Sequence, residues 1–245
     1  MQNQFDPPQA PGTTGVNAAS VSVPRASRDV GLRSYMLSVY NYMASGILLT
    51  GIVAMLFANS GMAAQVMATP LRWLVILAPL GFVMVMSFGM NRLSTGTLQA
   101  LFWSFAVAMG LSMSTIFLVY TGVSIAQTFF AVAAGFAGLS LWGYTTKKDL
   151  SGFGTFLIMG VVGLLVAMVV NIFLKSPAMA MAISAIGVLL FAGLTAYDTQ
   201  KIKSMYEHVA GTDMMGKVVI MGALNLYLDF INMFTFLLSF MGDRR

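Results

Sequence analysis

Asp198 and Asp229 fall inside long apolar segments, whereas the other six acids of the chain lie in the expected tail or loops. A charge at the centre of a membrane-spanning helix costs roughly +2.5 to +3.5 kcal/mol on insertion scales. Acids at that depth mark ion or proton pathways. Asp229 lies near the middle of its segment, twelve residues past Lys217. Asn225, Asp229 and Asn232 recur at i, i+4 and i+7, within about 60° of helical arc. Gly222 and Ser239 lie near the same stripe, while Leu224, Leu228, Phe230, Phe234 and Leu237 cover the rest. In the preceding segment Ser184, Gly187, Thr195 and Asp198 fall within about 100° of arc. Two helices adjacent in sequence, each with one polar stripe and one carboxylate, are expected to face each other.

The chemistry of such a pair is specific. Two carboxylates in one low-dielectric site cannot easily both ionise. The pair is expected to hold a proton near neutral pH, release it as pH rises, and accept a hard divalent cation such as Ca²⁺ in its place. The reading is a pH-gated cation path with Asp198 and Asp229 as calcium ligands. Plainer roles stand beside it. Asp198 lies near the end of its apolar run and can cap it or pair with Lys201, three residues on. Asn225 and Asn232 can satisfy Asp229 as a structural buried acid. Arg92 ends the second apolar segment on the same side as Asp198, where it is a latch or an interfacial positive charge. His208 invites a pH-sensor role but falls in a loop. The 21 methionines are scattered without ligand spacing, as flexible packing residues are. No cysteine and one histidine exclude disulfides, thiolate zinc sites, multi-histidine metal sites and a Ser-His-Asp triad.

Helices must carry these residues. The chain has 245 residues, 58% hydrophobic and 9% charged, with a net charge of +5 and a mean hydropathy of +0.83. A soluble domain carries about 25% charged residues, so an ordinary globular enzyme, a disordered regulator and a nucleic-acid binder are excluded. Seven apolar segments are long enough to span, given the ~20 residues required: Tyr35–Ala58, Leu71–Met90, Leu98–Tyr120, Ile125–Thr146, Gly154–Leu174, Ala178–Asp198 and Lys217–Phe240. Barrel strands are half that length and alternate in polarity. The fold class is therefore an all-α polytopic membrane protein with seven transmembrane helices over residues 35–242. Residues 1–34 read as a disordered cytoplasmic tail without the apolar core of a signal peptide. The Thr199–Gly216 connection has room for a short surface helix. Pro79 is a candidate kink. Ala131 with Gly135 and Ala134 with Gly138 have the spacing of close helix packing. Trp73, Trp103 and Trp142 sit where interface anchors do.

Basic residues give the orientation. Arg25, Arg28, Arg33, Arg92, Lys147, Lys148, Lys201, Lys203 and Lys217 fall on the N-terminal side; Arg72, Lys175, Arg244 and Arg245 fall on the other. The positive-inside rule places the N-terminus in the cytoplasm and, with seven spans, the C-terminus outside. The final Arg pair pulls against this, since a six-span form with a re-entrant last segment would bring it inside.

The stretches FAGLTAYDTQKIK (Phe191–Lys203) and ALNLYLDFINMFTFLL (Ala223–Leu238) resemble the transmembrane Bax inhibitor motif family. VYNYMASG (Val39–Gly46) and LSTGTLQALFW (Leu93–Trp103) are similar to its bacterial branch. The resemblance covers residues 33–242. It implies a seven-helix bundle with the last helix central, an integral plasma (inner) membrane location, and a pH-sensitive Ca²⁺ leak channel with its paired aspartates at Asp198 and Asp229. It also implies an arginine latch on the second helix, for which Arg92 is the nearest candidate. Some bacterial relatives instead regulate a membrane protease, so a non-conducting regulator or scaffold of another membrane protein is the alternative. An intramembrane aspartyl protease would share Tyr197-Asp198, but Asp229 follows Leu226-Tyr227-Leu228 rather than Gly-x-Gly. No enzyme activity and no cofactor beyond calcium as the permeant or weakly bound ion are expected. The expected partners are the bilayer, calcium and another membrane protein, without nucleic acid.

Overall fold

A computed structural model describes residues 25–245, with side chains from residue 29. Helix α1 covers Arg25–Asn59, the short α2 Met62–Met67, α3 Leu71–Gly89, α4 Thr95–Val119, α5 Gly122–Thr145, α6 Ser151–Leu174, α7 Pro177–Val209 and α8 Met215–Met241. Seven of these are long and apolar enough to cross a membrane. The backbone in lipid must satisfy its own hydrogen bonds, and the connections do so economically. Ser94, Thr121 and Ser176 cap α4, α5 and α7 through their hydroxyls, accepting from Thr97, Ser124 and Met179 backbone N–H groups. Pro177 follows at the first turn of α7, where its missing N–H costs nothing. Helix α3 runs unbroken through Pro79.

Helix α8 is the axle of the bundle. It packs against α1, α4, α5 and α7, while α3 leans on α4 and α6 on α7 at the periphery. Tyr227 at its centre meets Phe102 and Phe105 of α4 edge-on. Its hydroxyl lies 2.6 Å from Thr50 Oγ1 of α1, which donates onward to the Ala106 carbonyl. The C-terminal residues fold back on the α4–α5 turn: Thr121 N–H bonds the Asp243 carbonyl, Arg245 N–H bonds the Val119 carbonyl, and Asp243 N–H bonds Ser124 Oγ. At the opposite end Tyr35 of α1 packs at a tilt against Tyr206 of α7 and donates to the Ile202 carbonyl. Helix α8 therefore runs the full length of the bundle, and the described N-terminal residues and the C-terminus lie at opposite ends.

Four expectations are corrected. Helix α1 begins at Arg25, so the tail boundary at residue 34 moves back; residues 1–24 lie outside the described residues. Helix α7 does not stop at Asp198 but continues eleven residues to Val209, because Tyr35 and Tyr206 pack its polar extension onto α1. That extension takes Glu207 and His208 into a helix, as the early start of α1 takes Asp29. Ala131, Ala134, Gly135 and Gly138 are exposed on the outer face of α5, where no neighbour approaches the two glycines. The close approach is at Gly143 instead, where a β-carbon would strike the Ala196 backbone of α7.

Candidate functional site

The site sits on the α7–α8 contact. Asp229 lies on the buried side of α8 at 4% exposure, and Asp198 on α7 is half-buried. The two carboxyl groups are within hydrogen-bonding reach of each other. The charge that also bears on Asp198 is Lys201, one turn along α7. Among the described residues Asp229 Oδ2 is the one buried side-chain oxygen or nitrogen without a hydrogen-bond partner. Unpaired buried oxygens are costly, and each calls for a physical reason.

The supporting stripes behave differently. Asn225 and Asn232 share the α8 face with Asp229 and are half-buried. Asn232 spends its amide on the Leu228 carbonyl of its own helix, at 2.8 Å. Thr195 is fully buried and donates to the Phe191 carbonyl one turn back. The plainer alternative, in which the asparagines satisfy Asp229, is therefore not supported by the Asn232 hydrogen bond. Arg92 is exposed in the α3–α4 turn, and the cation acting on Asp198 is Lys201 in its place.

A hydroxyl chain escaped the sequence reading. Tyr40 of α1 lies 2.6 Å from Ser140 Oγ of α5, which lies 2.9 Å from Thr199 Oγ1 of α7. It ties three helices together beside the aspartate pair. The only signal for it was Thr199 directly following Asp198, and hydroxyl residues are too common in spans for that to be decisive.

As a calcium site the pair is incomplete. Ca²⁺ takes roughly six to eight oxygens, and no group of three or more His, Cys, Asp or Glu assembles anywhere among the described residues. Two carboxylates supply at most four of those oxygens.

A groove separates α1 from α5 and is floored by α8. Cavities of about 500, 530 and 300 Å³ follow one another along it, from Arg33 and Tyr40 past Ala44 and Gly51 to Ala54 and Gly122. Its α1 wall covers about 30 Å at 1.5 Å per residue. Phe129, Phe136 and Phe230 line it, and neither aspartate does.

Comparison with known proteins agrees with this architecture. The family model described as inhibitor of apoptosis-promoting Bax1 matches residues 32–245. An uncharacterized protein of Rickettsia prowazekii is 48% identical over 219 residues, covering 89% of this chain and 92% of its own length. The inner membrane protein YbhL of Escherichia coli K12 is 46% identical over 230 residues, 92% of this chain and 97% of its own. An uncharacterized protein of Deinococcus radiodurans is 45% identical over 215 residues, 87% of this chain and 92% of its own. With a family model along nearly the whole bundle and relatives of near-equal length almost half identical, the chain belongs to the Bax1-inhibitor family of membrane proteins.

Proposed function

We propose that the protein is a pH-sensitive cation leak channel, with calcium as its cargo and the Asp198–Asp229 pair as its gate. The observation that carries this reading is a buried carboxyl on the central helix, one oxygen unpartnered, facing a second carboxyl on the neighbouring helix. A proton held between the two joins α7 to α8. Its loss leaves two like charges face to face, which repel and admit a cation as the natural relief. Rising pH therefore opens the path, and a proton and a divalent ion compete for the same oxygens. The Tyr40–Ser140–Thr199 hydroxyl chain braces α7 beside this contact. Lys201 holds part of the Asp198 charge in the closed form, a role closer to a latch than the position of Arg92 allows.

The cation path needs no resident cofactor and no catalysis. A protease would require substrate backbone to approach Asp229, but Leu226 and Tyr227 beside it are fully buried. No cleavage of model transmembrane substrates is expected. The excess of basic residues at one set of helix ends supports a cytoplasmic N-terminal side and an outside C-terminus, and YbhL is by its name an inner membrane protein.

The test is calcium flux from liposomes holding the purified protein, stepped across pH about 6 to 8. Wild type is expected to leak more as pH rises. Asp229→Asn should flatten the profile, and Asp198→Asn should shift it. Leak identical to wild type in both variants at every pH overturns the proposal. The lateral α1–α5 groove favours a second reading, a regulator that takes a helix of another membrane protein there without conducting. Cross-linking to a partner from residues placed at Leu48 and Phe130, with no flux at any pH, would establish it.

A further inference from the structure

The α5–α6 turn carries a charged cluster that the aspartate pair does not use. A cavity of about 290 Å³ lies between this turn and α7. Lys147 and Lys148 enter it from the turn and Lys201 from α7. Asp149 is the one acid in its wall, and the Ser151 backbone N–H already occupies its Oδ1 at 2.9 Å. The hydrogen bonds from Ser151 hold that carboxyl below its usual range, so its charge is committed to the start of α6.

The turn is pinned rather than loose. The Gln200 side chain donates to the Lys148 carbonyl at 2.8 Å and accepts from the Leu150 N–H at 2.9 Å. Tyr197, Gln200, Lys201 and Ser204 stand at i, i+3, i+4 and i+7, so one face of α7 forms the other wall. The Tyr197 ring seats on Gly154 of α6, where a β-carbon would collide with it, and the Lys201 ammonium lies 5.9 Å from the ring centre. The serine hydroxyls are already spent, Ser204 on the Lys201 carbonyl at 2.8 Å and Ser151 on Asp149, but three cations around one cavity make a receptor for a compact, multiply charged oxyanion. The cavity also sits where α5 ends and α6 begins while α7 continues onward, which is headgroup level for a bundle of this length.

We propose that this cavity is a binding site for a phosphate-bearing anion, its level in the fold favouring the headgroup of an anionic phospholipid. Because Lys201 is also the cation whose field reaches Asp198, an anion bound here competes with Asp198 for that charge. This last consequence rests on the channel reading; the binding itself does not.

Native mass spectrometry of the full chain, exchanged into micelles containing equal phosphatidylglycerol and phosphatidylcholine, tests it. Wild type is expected to retain one phosphatidylglycerol. Lys147→Gln with Lys148→Gln should lower that retention about tenfold or more, at ~1 kcal/mol for each lysine at an anionic lipid surface. Arg92→Gln, removing an exposed cation of the α3–α4 turn, should leave it unchanged. Equal thermal melting of all three proteins guards against misfolding. A second arm adds millimolar inorganic phosphate to lipid-depleted protein. Binding there that the lysine variant loses assigns the soluble anion as the source and supports the site. Equal retention of both lipids without phosphate binding, or equal losses in the Arg92 and lysine variants, overturns it.

Discussion

Helices α6 and α8 are both long enough to span, yet the bundle treats them as opposites. Of the most apolar stretch of α6, 11% is buried; of α8, 72%. The more apolar helix is the one left facing outward, and the helix carrying Asn225, Asp229 and Asn232 is placed at the axis. In water the hydrophobic effect would reverse that choice. In lipid, tails solvate leucine as well as a neighbouring helix does, so packing, hydrogen bonds and buried polar groups decide which helix goes inside.

That contrast can be broken by exchanging characters. Leu165→Asp puts an acid on the outer mid-face of α6, where Leu165 is exposed, and should cost about 3 kcal/mol in an insertion assay. Insertion as efficient as wild type would mean that α6 does not face lipid. Next in size, Leu224→Ala on α8 opens a cavity at a fully buried position, for about 2 kcal/mol by analogy with core truncations. The matched change Val166→Ala on exposed α6 should leave unfolding in mixed micelles unaltered. Similar losses at both sites would erase the distinction. Tyr227→Phe removes the bond to Thr50 and should cost about 0.6 kcal/mol, the average for such bonds in membranes. The smallest effect belongs outside the bundle. Asp149 has its carboxyl depressed by Ser151, so its support of the α5–α6 turn is present above the ordinary carboxylate range and fades as pH falls through the lowered value. Asp149→Asn should abolish that acid-side change in amide exchange at Ser151, its small loss of protection appearing at neutral pH and vanishing in acid.

The seven spans were legible because lipid imposes a length and a polarity that few other constraints imitate. The aspartate pair was legible for a related reason: an acid is so rare at depth that Asp198 and Asp229 need no motif to be noticed. What failed depended on partners. The extension of α7 past Asp198 turns polar at Lys201, Lys203 and Glu207, and only Tyr35 and Tyr206 reveal why it stays helical. Small residues four apart have the spacing of contact points, yet Gly135 and Gly138 meet open space while Gly143 makes the approach. Spacing says that helices can come close, not which face has a neighbour. The Tyr40–Ser140–Thr199 chain joins residues 100 and 59 positions apart, a proximity that only the folded bundle supplies.

The groove between α1 and α5 has a practical consequence. Once the protein leaves the bilayer, the alkyl tails of the surrounding detergent are what remain to fill it. Chain length then becomes a structural variable, because a tail too short for cavities of about 500 and 530 Å³ leaves Phe136 and Phe230 facing a void. A maltoside series should therefore show a step in melting temperature rather than a slope.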